Sequence, residues 1–230
     1  MRAILITGAN RGLGFEFASQ YAADGWRVFA ACRNPAAATE LQCMAQNSKM
    51  LSIVALDVTD GESVRTAATQ QKDVAIDVLI NSAGITGASG QTTGNVDYDS
   101  WANVFDVNTM GPLRVIESFI DHIARSESRL VVTITSGMGS LADNTTGGFI
   151  PYRSSKAAVN MVMRSAAIDL APRRITCVLV NPGWVRTDMG GPKAPLLPQE
   201  SVTAMRRLIN TLGPNHSGKF YNYDGREYPW

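Results

Sequence analysis

The sequence predicts an α/β fold: one doubly wound, seven-stranded parallel sheet with helices on both faces. Three observations predict it. Short β-branched runs alternate with stretches of helical period across all 230 residues, and that alternation implies right-handed crossovers between parallel strands. Several runs are apolar on successive residues, as in Leu130-Val131-Val132 and Cys177-Val178-Leu179-Val180, which suits strands covered on both sides. A glycine-rich turn, Gly8-Ala9-Asn10-Arg11-Gly12-Leu13-Gly14, joins the first strand-like run to the first helical stretch, where the Rossmann-type form of this fold takes up phosphate.

In chain order, strands are predicted at 3–7, 27–31, 51–56, 78–81, 129–135, 175–181 and 219–223, from β-branched runs bounded by turn residues. Helices are predicted at 14–23, 35–46, 62–71, 99–124, 152–170 and 200–212, where apolar residues recur at helical spacing. Asp60 and Ser201 supply polar residues at two helix starts. Two segments, 86–96 and 183–198, are rich in Gly, Thr, Ser and Pro. Both follow strand ends, where open α/β sheets bind ligands, and both are candidate lids. No linker or repeat divides the chain, so residues 1–230 are read as a single domain.

With 45% hydrophobic and 18% charged residues, a core can form without metal or disulfide. Lys and Arg number 21 against 20 for Asp and Glu. This balance argues against a nucleic-acid footprint. Cys32, Cys43 and Cys177 are odd in number and fit no zinc spacing, so no metal is expected and the setting is read as reducing. No apolar run approaches the roughly 20 residues of a membrane span. A strand-length run begins at residue 3, so no secretion signal is expected and the protein is read as cytoplasmic.

The glycine turn permits close backbone approach to a pyrophosphate, and the helix behind it presents free N–H groups. NAD-specific sites of this architecture carry an acid at the end of the second strand. Here that strand ends Cys32-Arg33-Asn34, with no carboxylate. Arg33, with Arg11 from the other side, suits a 2′-phosphate through bidentate guanidinium bonds. NADP(H) is therefore expected over NAD(H).

Tyr152-Arg153-Ser154-Ser155-Lys156 places a phenol and an ammonium four residues apart, on one helix face about 6 Å apart at Cβ. Bringing a tyrosine from its ordinary pKa of about 10 to near 7 requires about 4 kcal/mol of preference for phenolate. A partly desolvated cation can contribute much of that. Ser136 lies just beyond the preceding strand, Asn81-Ser82-Ala83-Gly84 closes the fourth, Asn108 interrupts the long helix, and Asn181-Pro182-Gly183-Trp184-Val185-Arg186-Thr187 closes the sixth.

These motifs, complete and in order along nearly the whole chain, resemble the short-chain dehydrogenase/reductase family, in particular its C-factor-like and sniffer-like carbonyl reductase branch. The resemblance implies that Tyr152 is the general acid or base, with Lys156 lowering its pKa and holding the nicotinamide ribose. Ser136 would hydrogen-bond the substrate oxygen, and Asn108 would anchor a water linking Lys156 to solvent. Gly8, Asn10, Arg11, Gly12, Leu13 and Gly14 would take the phosphates, with Arg33 on the 2′-phosphate. Asp57 and Val58 would meet adenine, while Asn81, Ala83 and Gly84 would line the adenosine side. Pro182, Gly183, Val185 and Thr187 would fix the carboxamide. The implied reaction is hydride transfer between NADP(H) and a small ketone, aldehyde or corresponding alcohol; a cofactor-binding sensor with marginal turnover is the alternative.

Three features depart from the family pattern. Ser82 replaces an asparagine, the 183–198 loop is short, and Ser136 stands 16 residues before Tyr152, more than is usual. Ser140 is nearer, but Gly139 sits three residues after Ser136 as in the family, so Ser136 is chosen and the surplus read as an insertion at 143–148. Trp101 and Trp184 are candidates for substrate contact, with core packing as the rival. His122 and His216 are read as surface or capping residues, Cys32 and Cys177 as buried, and Met161 and Met163 as packed against a neighbouring helix. The fourth and fifth helices carry apolar residues beyond what the sheet needs, and in the family these helices pair. A homodimer or homotetramer is expected, with the aromatic segment 227–230 docking on a neighbouring copy.

Overall fold

In the computed structural model, which describes residues 1–230, the strands are β1 (Ala3–Thr7), β2 (Arg27–Cys32), β3 (Leu51–Ala55), β4 (Val78–Asn81), β5 (Leu130–Ile134), β6 (Thr176–Asn181) and β7 (Phe220–Asn222). They form one sheet in the order β3-β2-β1-β4-β5-β6-β7, every pair parallel. The order reverses between β1 and β4, which opens a crevice beyond their carboxyl ends. In register, Thr7 lies opposite Ala31, Asn81 opposite Thr133 and Ile134 opposite Val180. The segments that follow these strands therefore emerge along one edge.

The helices are α1 (Gly12–Ala23), α2 (Thr39–Asn47), α3 (Gly61–Gln70), α4 (Tyr98–Phe105), α5 (Gly111–Ala124), α6 (Ile150–Asp169) and α7 (Pro198–Ile209). They cover the sheet from both sides. Phe17 and Tyr21 of α1, Leu41 of α2 and Met205 of α7 pack on Ile4, Ile6, Val132 and Val180. Val64 of α3, Phe119 of α5, and Val159 and Met163 of α6 pack on Leu5, Leu79, Val131 and Leu179. Successive strand residues enter opposite layers because side chains alternate across a strand. Each such large side chain contributes about 1.5–3 kcal/mol on full burial.

Five helices differ from their expected bounds by two residues or more; α1 begins at Gly12 rather than at 14. The expected helix 99–124 is two helices, α4 and α5, joined by a π-helical turn, Asp106–Met110. A wider turn re-aims the residues in it, and here it delivers Asn108 and Thr109 to their partners: the Asn108 amide nitrogen donates to Ile85 O at 2.8 Å and Ser155 Oγ at 3.0 Å. Pro35 starts a separate 3₁₀ turn (Pro35–Ala37) ahead of α2. Both α6 and α7 begin two residues earlier than expected, with prolines in their first turns. Proline fits there because no helical bond needs its missing N–H. Asp60 does cap α3, accepting from the Glu62 amide at 2.8 Å. Ser201 caps nothing; it is buried inside α7 and donates to Pro182 O at 2.7 Å.

Candidate active site

At the end of β1 the Thr7 hydroxyl accepts from the Ser82 and Ala83 amides at 3.1 and 3.2 Å, which ties β1 to β4. Gly8 follows with φ +67. A Cβ on it would stand 2.8 Å from Ala83 Cα, and a Cβ on Gly14 would run into the Gly8 carbonyl. The chain can approach itself this closely only without side chains. No side chain caps α1, and the amides of Gly12, Leu13 and Gly14 find no backbone acceptor. Three free N–H groups at the positive end of a helix form an anion site. Asn10, Arg11 and Arg33 are exposed around it.

The Arg11 guanidinium pairs with Asp188 at 3.2 Å, which links the glycine turn to the 183–198 loop. Both partners are more than two-thirds exposed, so the pair is worth roughly 0–1 kcal/mol and yields readily to a phosphate. Asp57 uses one carboxylate oxygen to accept from the Thr59 amide and hydroxyl at 2.9 and 2.7 Å. The buried Val58 gives its carbonyl to Arg114 at 2.6 Å. Asn81 is buried at the end of β4, beside Thr133. A Cβ on Gly84 would lie 3.4 Å from Asn108 Oδ1 and 3.6 Å from Lys156 Nζ, so this glycine keeps the approach to the lysine clear.

On α6, Tyr152 and Lys156 share one buried face. The ammonium lies 5.7 Å from the phenol ring centroid and donates to Ile134 O at 3.1 Å. Ser136 lies beside the phenol, while its Oγ accepts from the Met138 amide at 3.1 Å. Ser140 instead accepts from the Asp143 amide at 3.1 Å, turned toward the exposed loop. Burial pushes Lys156 down to about 8. Burial also raises the Tyr152 phenol, and the neighbouring Ser136 hydroxyl offsets only part of that rise. Among the protein's own groups, then, the phenol moves opposite to the lowering that the resemblance implies, because desolvation outweighs the help it receives.

Asn181, at the end of β6, joins three parts of the site. Its Oδ1 accepts from the Gly137 amide at 2.9 Å and the Gly183 amide at 3.3 Å, and its Nδ2 donates to Asn222 Oδ1 at 2.9 Å. Pro182 is held through its carbonyl by Ser201. Val185 is buried and bridges to Leu196. Thr187 accepts from the Gly190 amide at 3.2 Å and stands over Gly12, whose added Cβ would lie 3.6 Å from it. The fold thus brings the predicted glycine turn, Gly84, Asn108, Ser136, Tyr152, Lys156 and the Pro182-Gly183 turn around one crevice. Arg33 and Asp57 follow the ends of β2 and β3, the strands next to β1 on its other side.

Sequence reasoning passed over Thr7, Asn181 and Ser155. Ser155 is fully buried, accepts from Asn108 and donates to Tyr152 O at 2.8 Å; its place three residues after Tyr152 was the available signal. Trp101 donates to Ser154 Oγ at 3.0 Å. Trp184 is 57% exposed and donates to Gly190 O at 2.8 Å. His122 is buried rather than on the surface, because its Nε2 bonds to Ala68 O at 3.1 Å and its ring packs on Phe119. Met163 is buried, but Met161 points outward, 66% exposed. Cys32 and Cys177 are buried, and all three cysteines are free. No three His, Cys, Asp or Glu side chains are grouped to hold a metal, and no helix is long and apolar enough to cross a membrane.

A family model described as short chain dehydrogenase matches residues 2–195. The chain is 47% identical to the C-signal of Myxococcus xanthus over 167 residues, 73% of this chain and 100% of that protein. The NADPH-bound carbonyl reductase from chicken fatty liver superposes with a TM-score of 0.93 at 33% identity, covering 100% of this chain and 99% of that one. The carbonyl reductase Sniffer of D. melanogaster does so with a TM-score of 0.92 at 33% identity, covering 100% of both.

Proposed function

The chain belongs to the short-chain dehydrogenase family, and from that premise we propose that it is an NADP(H)-dependent oxidoreductase that reduces a ketone or aldehyde, or oxidises the corresponding alcohol. One observation carries the reading: Tyr152 and Lys156 are buried on one face of α6 with Ser136 beside the phenol, at the mouth of a crevice whose other end is a glycine-built anion site. The likeness to an NADPH-bound carbonyl reductase supports the cofactor, as does Arg33 at the place where an acid would favour NAD.

The amides of Gly12, Leu13 and Gly14 would hold the pyrophosphate, with Asn10 at the rim. Arg33 would take the 2′-phosphate, joined by Arg11 on release from Asp188. Asp57 and Val58 would border adenine, and Asn81, Ala83 and Gly84 the adenosine side. Pro182, Gly183, Val185 and Thr187 would orient the carboxamide, and Lys156 the ribose hydroxyls. NADPH, when bound, supplies the hydride for the carbonyl carbon. Ser136 donates a hydrogen bond to the substrate oxygen, favouring the charge that develops there. Tyr152 gives that oxygen its proton; a raised phenol pKa keeps the proton in place at neutral pH. Lys156 stays charged below about 8, and Asn108 fixes the turn from which a water would return protons to it.

The test follows NADPH consumption against a panel of small carbonyls for the wild type and Tyr152→Phe. Turnover is expected in the wild type and a fall of roughly 10²- to 10⁴-fold in the variant, with NADPH binding kept. Flat traces in both, with tight NADPH binding, would favour a signalling or sensor role, the reading suggested by similarity to the C-signal. We also infer a homodimer or homotetramer built on α5 and α6, since Met110, just ahead of α5, and Met161 and Ile168 of α6 expose apolar surface. Light scattering of the purified protein checks it. Three free thiols support a cytoplasmic setting, and fractionation of cells checks that.

A further inference from the structure

After β7 the chain folds back over its own sheet rather than reaching outward. Glu227 bridges antiparallel to Tyr221 and its carboxylate meets Lys219 at 2.6 Å. The Tyr228 amide donates to Phe220 O at 2.7 Å. Both Tyr228 and Trp230 set their rings against Phe220, with centroids 5.0 and 5.7 Å away. Aromatic pairs at this spacing contribute about 0.5–1.5 kcal/mol beyond their buried area. Phe220 of the same chain supplies apolar surface for both rings, while Trp230 stays 46% exposed.

This segment reaches the turn that carries Ser136. The Trp230 carbonyl accepts from the Ala142 amide at 2.9 Å, and the Tyr228 phenol pKa is raised by burial and by the Asp143 carboxylate nearby. A Cβ on Gly137 would stand 2.5 Å from Tyr228 Oη and 3.0 Å from its Cζ, so the phenol ring edge lies directly on the residue after Ser136. On its other side Gly137 donates to Asn181 Oδ1. Beneath the turn, a Cβ on Gly139 would stand 2.8 Å from Lys156 Cβ. The serine turn is therefore clamped between α6, Asn181 and Tyr228. Of the three, Asn181 also holds the Gly183 turn and α6 also carries Tyr152. Tyr228 touches the serine turn and the loop after it.

We propose that Tyr228 is a positioning residue for the reaction, and that segment 226–230 braces the serine turn so that Ser136 stays aimed at the phenol of Tyr152. The inference rests on Ser136 as the hydroxyl that meets the substrate oxygen. A displacement of about 1 Å at a reacting centre can cost up to roughly a hundredfold in rate. Loss of the brace therefore acts on turnover and leaves the anion site at the far end of the crevice unchanged.

The experiment measures carbonyl reduction by NADPH, NADPH affinity and thermal unfolding for the wild type, Tyr228→Ala and Tyr228→Phe. The expected result is a kcat about tenfold lower in Tyr228→Ala, an NADPH dissociation constant within about twofold of wild type, and recovery of most turnover in Tyr228→Phe, which keeps the ring in place. Wild-type kcat in folded Tyr228→Ala overturns the brace alone. A wild type inert toward every carbonyl overturns the redox reading and the brace with it. Should Tyr228→Ala not fold, Gly137→Ala decides. Its turnover is expected to fall and to recover in part when Tyr228→Phe removes the opposing hydroxyl; no recovery overturns the proposal.

Discussion

Arg33 is exposed at the end of β2, and unlike Arg11 it has no carboxylate partner. A charge-assisted bond to a phosphate is worth about 1.5–3 kcal/mol, so Arg33→Ala is expected to raise the KM for NADPH about 10- to 100-fold and leave that for NADH unchanged; initial rates with both cofactors check this. The pair on α6 sets the pH dependence. The proposed reduction needs Lys156 charged and Tyr152 protonated, and burial moves the first pKa down to about 8 and the second up. As pH rises the lysine loses its proton first, so kcat for reduction is expected to be level at neutral pH and to fall through about 8. Lys156→Arg should displace that fall upward in a kcat–pH profile, because guanidinium stays charged. Tyr152 and Lys156 were legible because four residues apart on a helix means one face. Ser136 was legible because Gly139 marked the turn that packs on α6. Asn181 and Ser155 were not: a polar side chain whose partners lie on other segments has no local signature.

Among the elements, the strands were the most legible, each within about two residues, because apolar β-branched runs between turn residues read alike at any depth. Helix starts slipped by two residues where proline stood in the first turn, at Pro151 and Pro198, and at the glycine turn before α1. The π turn at Asp106–Met110 left no trace in the apolar pattern, since its cause is a set of bonds to Ile85 and Ser155. The outward face of α6 makes a separate prediction. Met161→Glu puts a charge on surface that the single chain leaves open, and exposed substitutions usually change stability within about 0.5 kcal/mol. The variant is expected to unfold at the wild-type temperature but to run as a monomer by light scattering.

For the molecule as a whole, the sheet is a partition with one apolar layer on each side, and the layers respond independently to damage far from the crevice. Phe119 is fully buried in the α5 layer. Phe119→Ala is expected to cost about 3–5 kcal/mol, measured by denaturant unfolding, with any surviving folded protein keeping its NADPH affinity. The doubly wound plan was legible because it follows from alternation and from strands apolar on both faces. The loops 86–96, 143–148 and 183–198 were legible only as loops, since their paths depend on single contacts such as Arg11 with Asp188 and Trp184 with Gly190.

Asn181 limits how this scaffold can be re-engineered. One amide oxygen serves both the Gly137 and the Gly183 backbone, so the two walls of the crevice are not modular. A transplant of 183–198 from a relative brings its own angle at Gly183, and Asn181 passes that angle on to the neighbouring wall. Grafts that carry position 181 and its Asn222 counterpart along with the loop keep the walls in step; grafts that swap the loop alone do not.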